Sequence, residues 1–192
     1  MNDALKMFLV LTGTSAVCSV LLAVGNDLTR ERIEVQQLRY VKGPAVQSVL
    51  RGATNDPLAD RKTVTASGKS VTVFVGKNND AVAGIALEGG AMGYRNELRV
   101  IAGFEPVSGT CTAVALSVTS ETPGIGSRVA DTSFMRKFSG LPIGTPAKLR
   151  KDGGTIDGIG GATISSRAVC RAVADAQKLF AEVKPSLPGG SK

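Results

Sequence analysis

The stretch DGIGGATISSRAV, residues Asp157–Val169, joins a glycine-rich loop to the start of a predicted helix. Gly160 and Gly161 allow a backbone to approach a ligand closely, because glycine carries no side chain. The amino terminus of a helix also offers unpaired N–H groups and a partial positive charge, which suit a phosphate. The alternative is ordinary capping, because Thr and Ser hydroxyls often bond the first N–H groups of a helix. The physics of the stretch alone favours capping over an anion site.

The residues after this loop predict one long helix from Thr163 to about Val183. Apolar residues recur at helical spacing on one face, and charged residues occupy the other. The apolar stripe consists of Val169, Ala172, Val173, Ala176, Leu179, Phe180 and Val183. The preceding loop matches neither a Walker A phosphate loop nor a strand-linked GxGxxG motif.

Runs of apolar and β-branched residues before this helix predict a sheet. The predicted strands are 70–76, 81–87, 98–104 and 111–119. In the last run, Ala113, Ala115 and Ser117 share one face, which leaves room for close packing by a helix or a ligand. The chain therefore has the pattern of an α+β domain.

The stretch MFLVLTGTSAVCSVLLAVGN, residues 7–26, contains no charged residue. Twenty helical residues span about 30 Å, the thickness of a bilayer's hydrocarbon core, so we expect a transmembrane helix. A cleaved signal peptide is the alternative, because Ala23, Val24 and Gly25 offer small residues to a peptidase. Basic residues flank both ends of the run, so their count does not set the orientation.

These signals divide the chain into four predicted segments. Residues 1–26 form a cytoplasmic start and the transmembrane helix, and residues 27–60 a helical stalk or linker interrupted at Gly43 and Pro44. Residues 61–184 form the folded domain, and residues 185–192 form a flexible tail.

Composition excludes several kinds of site. The chain of 192 residues contains no His, which removes Ser–His and Cys–His nucleophile pairs and His metal ligation. Cys18, Cys111 and Cys170 form no CxxC, so we expect no metal centre. A Cys111–Cys170 disulfide is conceivable, but two buried thiols are favoured.

The formal charge of +7 is spread along the chain, with no Trp and two Tyr, so we expect no nucleic-acid partner. An anionic membrane surface or acidic partner subunits fit this charge better.

A second loop, SETPGIGSR, residues 120–128, follows the predicted strand 111–119. Pro123 and Gly124 mark a tight loop, and Glu121 provides an acid at the strand end. The loop is either a simple strand exit or a thin wall against which a flat ring could lie.

The two loops together resemble a known family. DGIGGAT, residues 157–163, resembles the Asp-x-x-(Ser/Thr)-Gly-Ala-Thr signal that flavin transferases modify, with Gly160 in place of the Ser or Thr. ETPGIG, residues 121–126, resembles the companion Glu-Thr-Pro-Gly loop of FMN-binding domains. With the apolar run and GGAMGY, residues 89–94, the chain is similar to G subunits of Rnf electron-transport complexes. Larger relatives are the C subunits of sodium-pumping NADH:quinone reductases.

The resemblance implies a transmembrane helix followed by an FMN-binding α+β domain with an antiparallel sheet and flanking helices. It implies one covalent FMN per chain, bound as a phosphoester of the Thr163 hydroxyl, with no catalytic residue and no independent turnover. The other cofactor-binding residues that it implies are Asp157, Gly160, Gly161, Ala162, Ile164, Ser165, Glu121, Thr122, Pro123, Gly124, Met92 and Tyr94.

The function that the resemblance implies is an electron relay in a ferredoxin–NAD oxidoreductase coupled to Na⁺ or H⁺ translocation. The domain would lie on the periplasmic side of the inner membrane. Partners would be other membrane and redox subunits, including a second flavin subunit, a flavin transferase for maturation, and the lipid bilayer. The alternatives are the same FMN module in a quinone-reducing pump or a redox-sensor-reducing system, or a non-redox assembly subunit.

Overall fold

The computed structural model describes residues 3–66, 68–79, 81–119 and 121–186. The chain divides into two compact units, Met1–Leu38 and Arg39–Lys192. The first unit contains helix α1, Asp3–Gln36, and a π-helical segment, Gln37–Lys42, follows it. Among the described residues, α1 is the one helix long and apolar enough to cross a membrane, over the 28 residues Asp3–Arg30. This finding agrees with the apolar helix predicted for residues 7–26, and α1 continues beyond that run.

The second unit is built on a five-stranded sheet. Its strands are β1 Lys62–Ala66, β2 Lys69–Asn78, β3 Ala81–Met92, β4 Glu97–Phe104 and β5 Cys111–Val118. They lie side by side in chain order, and every neighbouring pair is antiparallel. The predicted α+β class and antiparallel sheet are therefore confirmed, and β1 is a fifth strand that the sequence patterns did not indicate.

Two helices cover opposite faces of this sheet, and glycines in the strands let both approach closely. A Cβ atom at Gly89 in β3 would collide with the backbone of helix α4, Thr163–Val183. A Cβ atom at Gly103 in β4 would collide with Val49 at the end of helix α2, Gly43–Val49. Gly103 pairs with Ala86, three residues before Gly89, so the two glycines point to opposite faces.

The larger core lies between the sheet and α4. The apolar stripe predicted for residues 169–183 packs there, and Phe180 stacks on Phe104 with 4.7 Å between the ring centroids. The observed bounds of α4 confirm the predicted helix. On the other face, α2 packs against β4 and β5. This agrees with one of the two expectations for Ala113 and Ala115, close packing by a helix or by a ligand.

Short helices connect β5 to α4. They are the 3₁₀ helix Gly126–Ala130, helix α3 Thr132–Met135, and the 3₁₀ helices Arg136–Phe138 and Arg150–Asp152. A last 3₁₀ helix, Lys184–Ser186, follows α4. Of the predicted flexible tail, residues 187–192 lie outside the described residues.

We expect Gly89→Ala to destabilise the domain by about 2 kcal/mol, because the added methyl group would force α4 away from β3. Gly144→Ala is the matched control, since its Cβ would have no atom within 4 Å and its φ is not positive. Thermal unfolding of the detergent-solubilised chain measures both changes. Equal melting temperatures for the two variants would contradict close packing at Gly89.

Candidate functional site

The amino terminus of α4 leaves three backbone N–H groups available. The first bond of the helix runs from the Ser166 N–H to the Ala162 carbonyl oxygen at 2.9 Å, and the Ala162 N–H bonds the Ile159 oxygen at 3.1 Å. The N–H groups of Thr163, Ile164 and Ser165 bond no backbone carbonyl of the described residues. They point out of the helix end, where the helix dipole also favours an anion.

Side-chain capping does not occupy this helix end. No side chain of the described residues caps α4. The Ser165 hydroxyl donates to Glu121 Oε2 at 2.8 Å, and Ser166 Oγ accepts from the Ile159 N–H at 3.1 Å. Thr163 is half-buried, and its hydroxyl has no hydrogen bond with any described residue. The capping interpretation is therefore wrong, and of the three hydroxyls only that of Thr163 stays available.

The two glycines before the helix differ in what they permit. Gly161 has a φ of +81°, a left-handed conformation that side chains disfavour. Gly160 has no positive φ, and a Cβ added there would have no atom within 4 Å. The backbone therefore requires glycine at Gly161, whereas position 160 has space for a side chain.

Glu121 joins three separate segments around the site. Its side chain is buried, with the residue 7% exposed. Oε1 accepts the Tyr94 N–H at 2.8 Å, and Oε2 accepts the Ser165 hydroxyl at 2.8 Å. Cβ atoms at Gly93 or Gly126 would clash with this carboxylate. Glu121 thus connects the β3–β4 hairpin, its own loop and α4.

A cavity of about 450 Å³ opens between these three segments. Its volume lies within the range of about 300–1,000 Å³ that is typical of cofactor sites. The predicted site residues that line it are Tyr94, Glu121, Thr122, Gly161, Ala162, Thr163, Ile164 and Ser165. Ile125 and Gly126 also line it; both lie in the ETPGIG motif, although neither is among the individual cofactor-binding residues that the resemblance implies.

The rim of this cavity is unusually apolar for a surface. The side chains of Tyr94, Ile125 and Ile164 line the cavity and are between 50% and 69% exposed. Exposed apolar residues gathered at one place mark a contact for a ligand or partner. The predicted contacts Met92, Pro123 and Gly124 do not line this cavity, and Met92 is exposed at the end of β3.

A second cavity of about 360 Å³ lies on the other side of Thr163. Thr163 lines both cavities, and Asp157, Gly160 and Arg150 line only the second. Arg150 Nε donates to Asp157 Oδ1 at 2.7 Å. This hydrogen bond and the charge of Arg150 hold the pKa of Asp157 below its ordinary value. The Asp157 carboxylate therefore pairs with the exposed Arg150 guanidinium and makes no hydrogen bond with Thr163.

The buried cysteines take no part in this chemistry. Cys111 and Cys170 are free thiols, which confirms the favoured interpretation over a disulfide. Burial raises the pKa of both thiols to about 12. Both remain protonated at neutral pH and are poor nucleophiles.

The Glu121 connection makes a testable prediction. Glu121→Ala leaves the buried Ser165 hydroxyl and the Tyr94 N–H without their acceptor, and should destabilise the domain by about 2 kcal/mol or more. Glu121→Gln should cost less, because its amide can accept from Tyr94 and donate to Ser165. Chemical unfolding of both variants measures the difference. If Gln destabilises as much as Ala, the carboxylate charge matters more than the hydrogen bonds.

Comparison with known proteins gives consistent matches. The family model of the FMN-binding domain matches residues 93–178, which include both loops and most of α4. The G subunit of the ion-translocating oxidoreductase complex of Cereibacter sphaeroides is 31% identical over 187 residues, covering 91% of this chain and 84% of that protein. The corresponding protein of Methanosarcina acetivorans is 28% identical over 173 residues, covering 90% and 92%.

A solved structure has the same fold. The C subunit of the Na⁺-translocating NADH-quinone reductase of Parabacteroides distasonis matches with a TM-score of 0.59 and 17% identity, over 82% of this chain and 98% of that chain.

These matches confirm the resemblance that the two loops indicated. The matched domain supports FMN as the cofactor, and the relatives' names support an electron-transfer subunit of a translocase. Together with α1, they indicate a membrane-anchored protein. The identity with the C. sphaeroides protein extends over most of both sequences, so this chain belongs to the family of G subunits of ion-translocating oxidoreductase complexes.

Proposed function

We propose that this chain carries one FMN as a phosphoester of the Thr163 hydroxyl. Through this flavin it would relay electrons between other redox subunits of an Rnf-type ferredoxin–NAD oxidoreductase coupled to Na⁺ or H⁺ translocation. The observation that carries the proposal is the Thr163 hydroxyl itself. It is without a hydrogen-bond partner among the described residues and opens onto a cavity of about 450 Å³.

The helix end fits the phosphate. A phosphodiester keeps one negative charge, which the N–H groups of Thr163, Ile164 and Ser165 can stabilise. The left-handed backbone at Gly161 turns the chain into the helix without a side chain. Arg150 lines the second cavity beside Thr163 and adds positive charge, although Asp157 neutralises part of it.

The cavity fits a flat ring. Tyr94, Ile125 and Ile164 provide apolar surface on its rim, and the loop from Glu121 to Gly126 provides one wall. Bound FMN supplies the electron transfer, while the protein fixes its position and its electrostatic surroundings. Glu121 holds the Tyr94 and Ser165 segments at a fixed separation, which keeps the cavity open.

The residues around the cavity favour an electron relay over independent turnover. Among the described residues that line it, Glu121 provides the only carboxylate, and both of its oxygens accept hydrogen bonds. The chain contains no His to shuttle protons. Contacts of FMN with Met92, Pro123, Gly124, Asp157 and Gly160 stay predictions.

The similarity over most of the C. sphaeroides and M. acetivorans G subunits favours an Rnf-type complex over other electron-transport complexes. We also propose that α1 spans the inner membrane once and that the domain lies on its periplasmic side. Maturation would require a flavin transferase, and a second flavin subunit would be among the redox partners.

Flavin fluorescence in a denaturing gel tests the covalent bond. Chain produced beside a flavin transferase should fluoresce, Thr163→Val should not, and Thr163→Ser should keep fluorescence because serine also offers a hydroxyl. Thr122→Val is the matched control, since it removes a hydroxyl from the same cavity. Mass spectrometry of the intact chain should find one FMN-sized adduct. A non-fluorescent wild-type band, or a fluorescent Thr163→Val band, would refute the phosphoester.

Protease accessibility tests the orientation separately. A protease added to cells whose outer membrane has been removed should digest the domain, because a periplasmic domain would be exposed to the protease. A cytoplasmic marker protein, protected until the membrane is ruptured, is the control. Protection of the domain until rupture would place it in the cytoplasm.

A further inference from the structure

A groove of about 650 Å³ follows the free edge of the sheet at β5. Residues 112–116 form its floor. One wall is α2 with the adjoining Arg51, and the other wall comes from residues 130–139. No described residue that lines this groove also lines the 450 Å³ cavity, so the two are distinct surfaces of one domain.

The edge of β5 is covered only at its beginning. The Cys111 N–H donates to the Leu141 carbonyl oxygen at 2.9 Å, and the Gly140 N–H donates to the Cys111 oxygen at 2.8 Å. The Ser139 hydroxyl donates to the Thr112 oxygen at 2.8 Å. From residue 113 to 118, β5 pairs with β4 alone, and no other described segment bonds its backbone. Its outward N–H and C=O groups can therefore accept another strand.

Natural proteins usually protect such an edge, because it pairs readily with another chain. Here the floor of the groove is made of small residues, Ala113 and Ala115, which leave space for the side chains of an added strand. An extended peptide that pairs with a free edge obtains affinity from backbone hydrogen bonds and specificity from the pockets beside it.

The charge of the groove indicates what kind of strand it fits. Arg51 and Arg136 are exposed on opposite walls, and no Asp or Glu is among the described residues of the lining. Neither arginine forms an ion pair with a described residue. An acidic segment would complement both walls, whereas a second copy of this chain would bring like charges together.

We propose that this groove binds an extended acidic segment of another subunit of the complex, which adds to β5 as a sixth strand. Backbone hydrogen bonds to β5 hold the segment, and its carboxylates pair with Arg51 and Arg136. The proposal does not depend on the flavin, because the groove and the 450 Å³ cavity share no described lining residue.

Cross-linking in the assembled membrane complex tests the occupant directly. A photoreactive side chain replaces Ser48 on one wall or Thr132 on the other, and Lys62 at the opposite sheet edge serves as the control position. We expect cross-links from Ser48 and Thr132, but not from Lys62, to one Asp- or Glu-rich segment of another subunit. Cross-links to a second copy of this chain, to lipid alone or to nothing would overturn the proposal.

Charge reversal tests the two arginines. Arg51→Glu with Arg136→Glu should lower the amount of this chain that co-purifies with a tagged partner subunit about tenfold. The matched control is Arg61→Glu with Lys62→Glu, which makes the same change in charge beside β1. The control should co-purify like the wild type. Equal losses in the two double variants, or no loss in the groove variant, would overturn the proposal.

Thermal unfolding separates loss of binding from loss of folding. If the double variant Arg51→Glu with Arg136→Glu melts below the wild type, the co-purification is repeated with Arg51→Gln and Arg136→Gln. Neutral glutamine side chains remove the attraction to an acidic segment without adding repulsion. This variant should lose about threefold in co-purification. Full retention would overturn the role of the arginines.

Discussion

A single buried carboxylate holds the candidate cofactor cavity together. The two oxygens of Glu121 accept one hydrogen bond from the β3–β4 hairpin and one from the first turn of α4. A buried acceptor of this kind is costly to leave unpaired, so separating any of the three segments from Glu121 is unfavourable. Gly93 and Gly126 allow this arrangement, because any side chain at either position would displace the carboxylate. The geometry around Thr163 thus depends on Glu121, which makes no hydrogen bond with Thr163 itself but holds the neighbouring Ser165.

Much of the fold could be predicted from local patterns. The bounds of α4 follow from an apolar stripe that starts after a glycine loop, and four of the strands follow from β-branched runs. The sequence does not indicate β1, because KTVTA is only five residues long and Val64 is its one large apolar residue. The sequence also does not indicate that β3 continues to Met92, because Gly89 and Gly90 disfavour a strand by themselves. There the packing of α4 against Gly89 outweighs the local preference.

The candidate site could be predicted only in part, because local motifs are visible in the sequence and contacts between distant residues are not. Thr163 could be selected because a family signal lies in consecutive residues. The hydrogen bonds of Glu121 could not, because they join residues 27 and 44 positions apart in the sequence. The physics of one loop favoured capping, since serine and threonine hydroxyls at helix starts usually cap. The structure reverses this preference because Glu121 and the Ile159 N–H engage the two serines, which isolates the threonine.

The order of the elements along the chain has a consequence for biogenesis. Strand neighbours are also sequence neighbours throughout the sheet, so its contacts are local and it can form early. Thr163, by contrast, begins the last long helix, and that helix packs on β3 about 80 residues earlier in the chain. The Thr163 hydroxyl and the cavity beside it therefore form only after the chain has been synthesised through α4 and α4 has packed on β3. A chain that ends before α4 can contain the whole sheet and still lack the cavity beside Thr163.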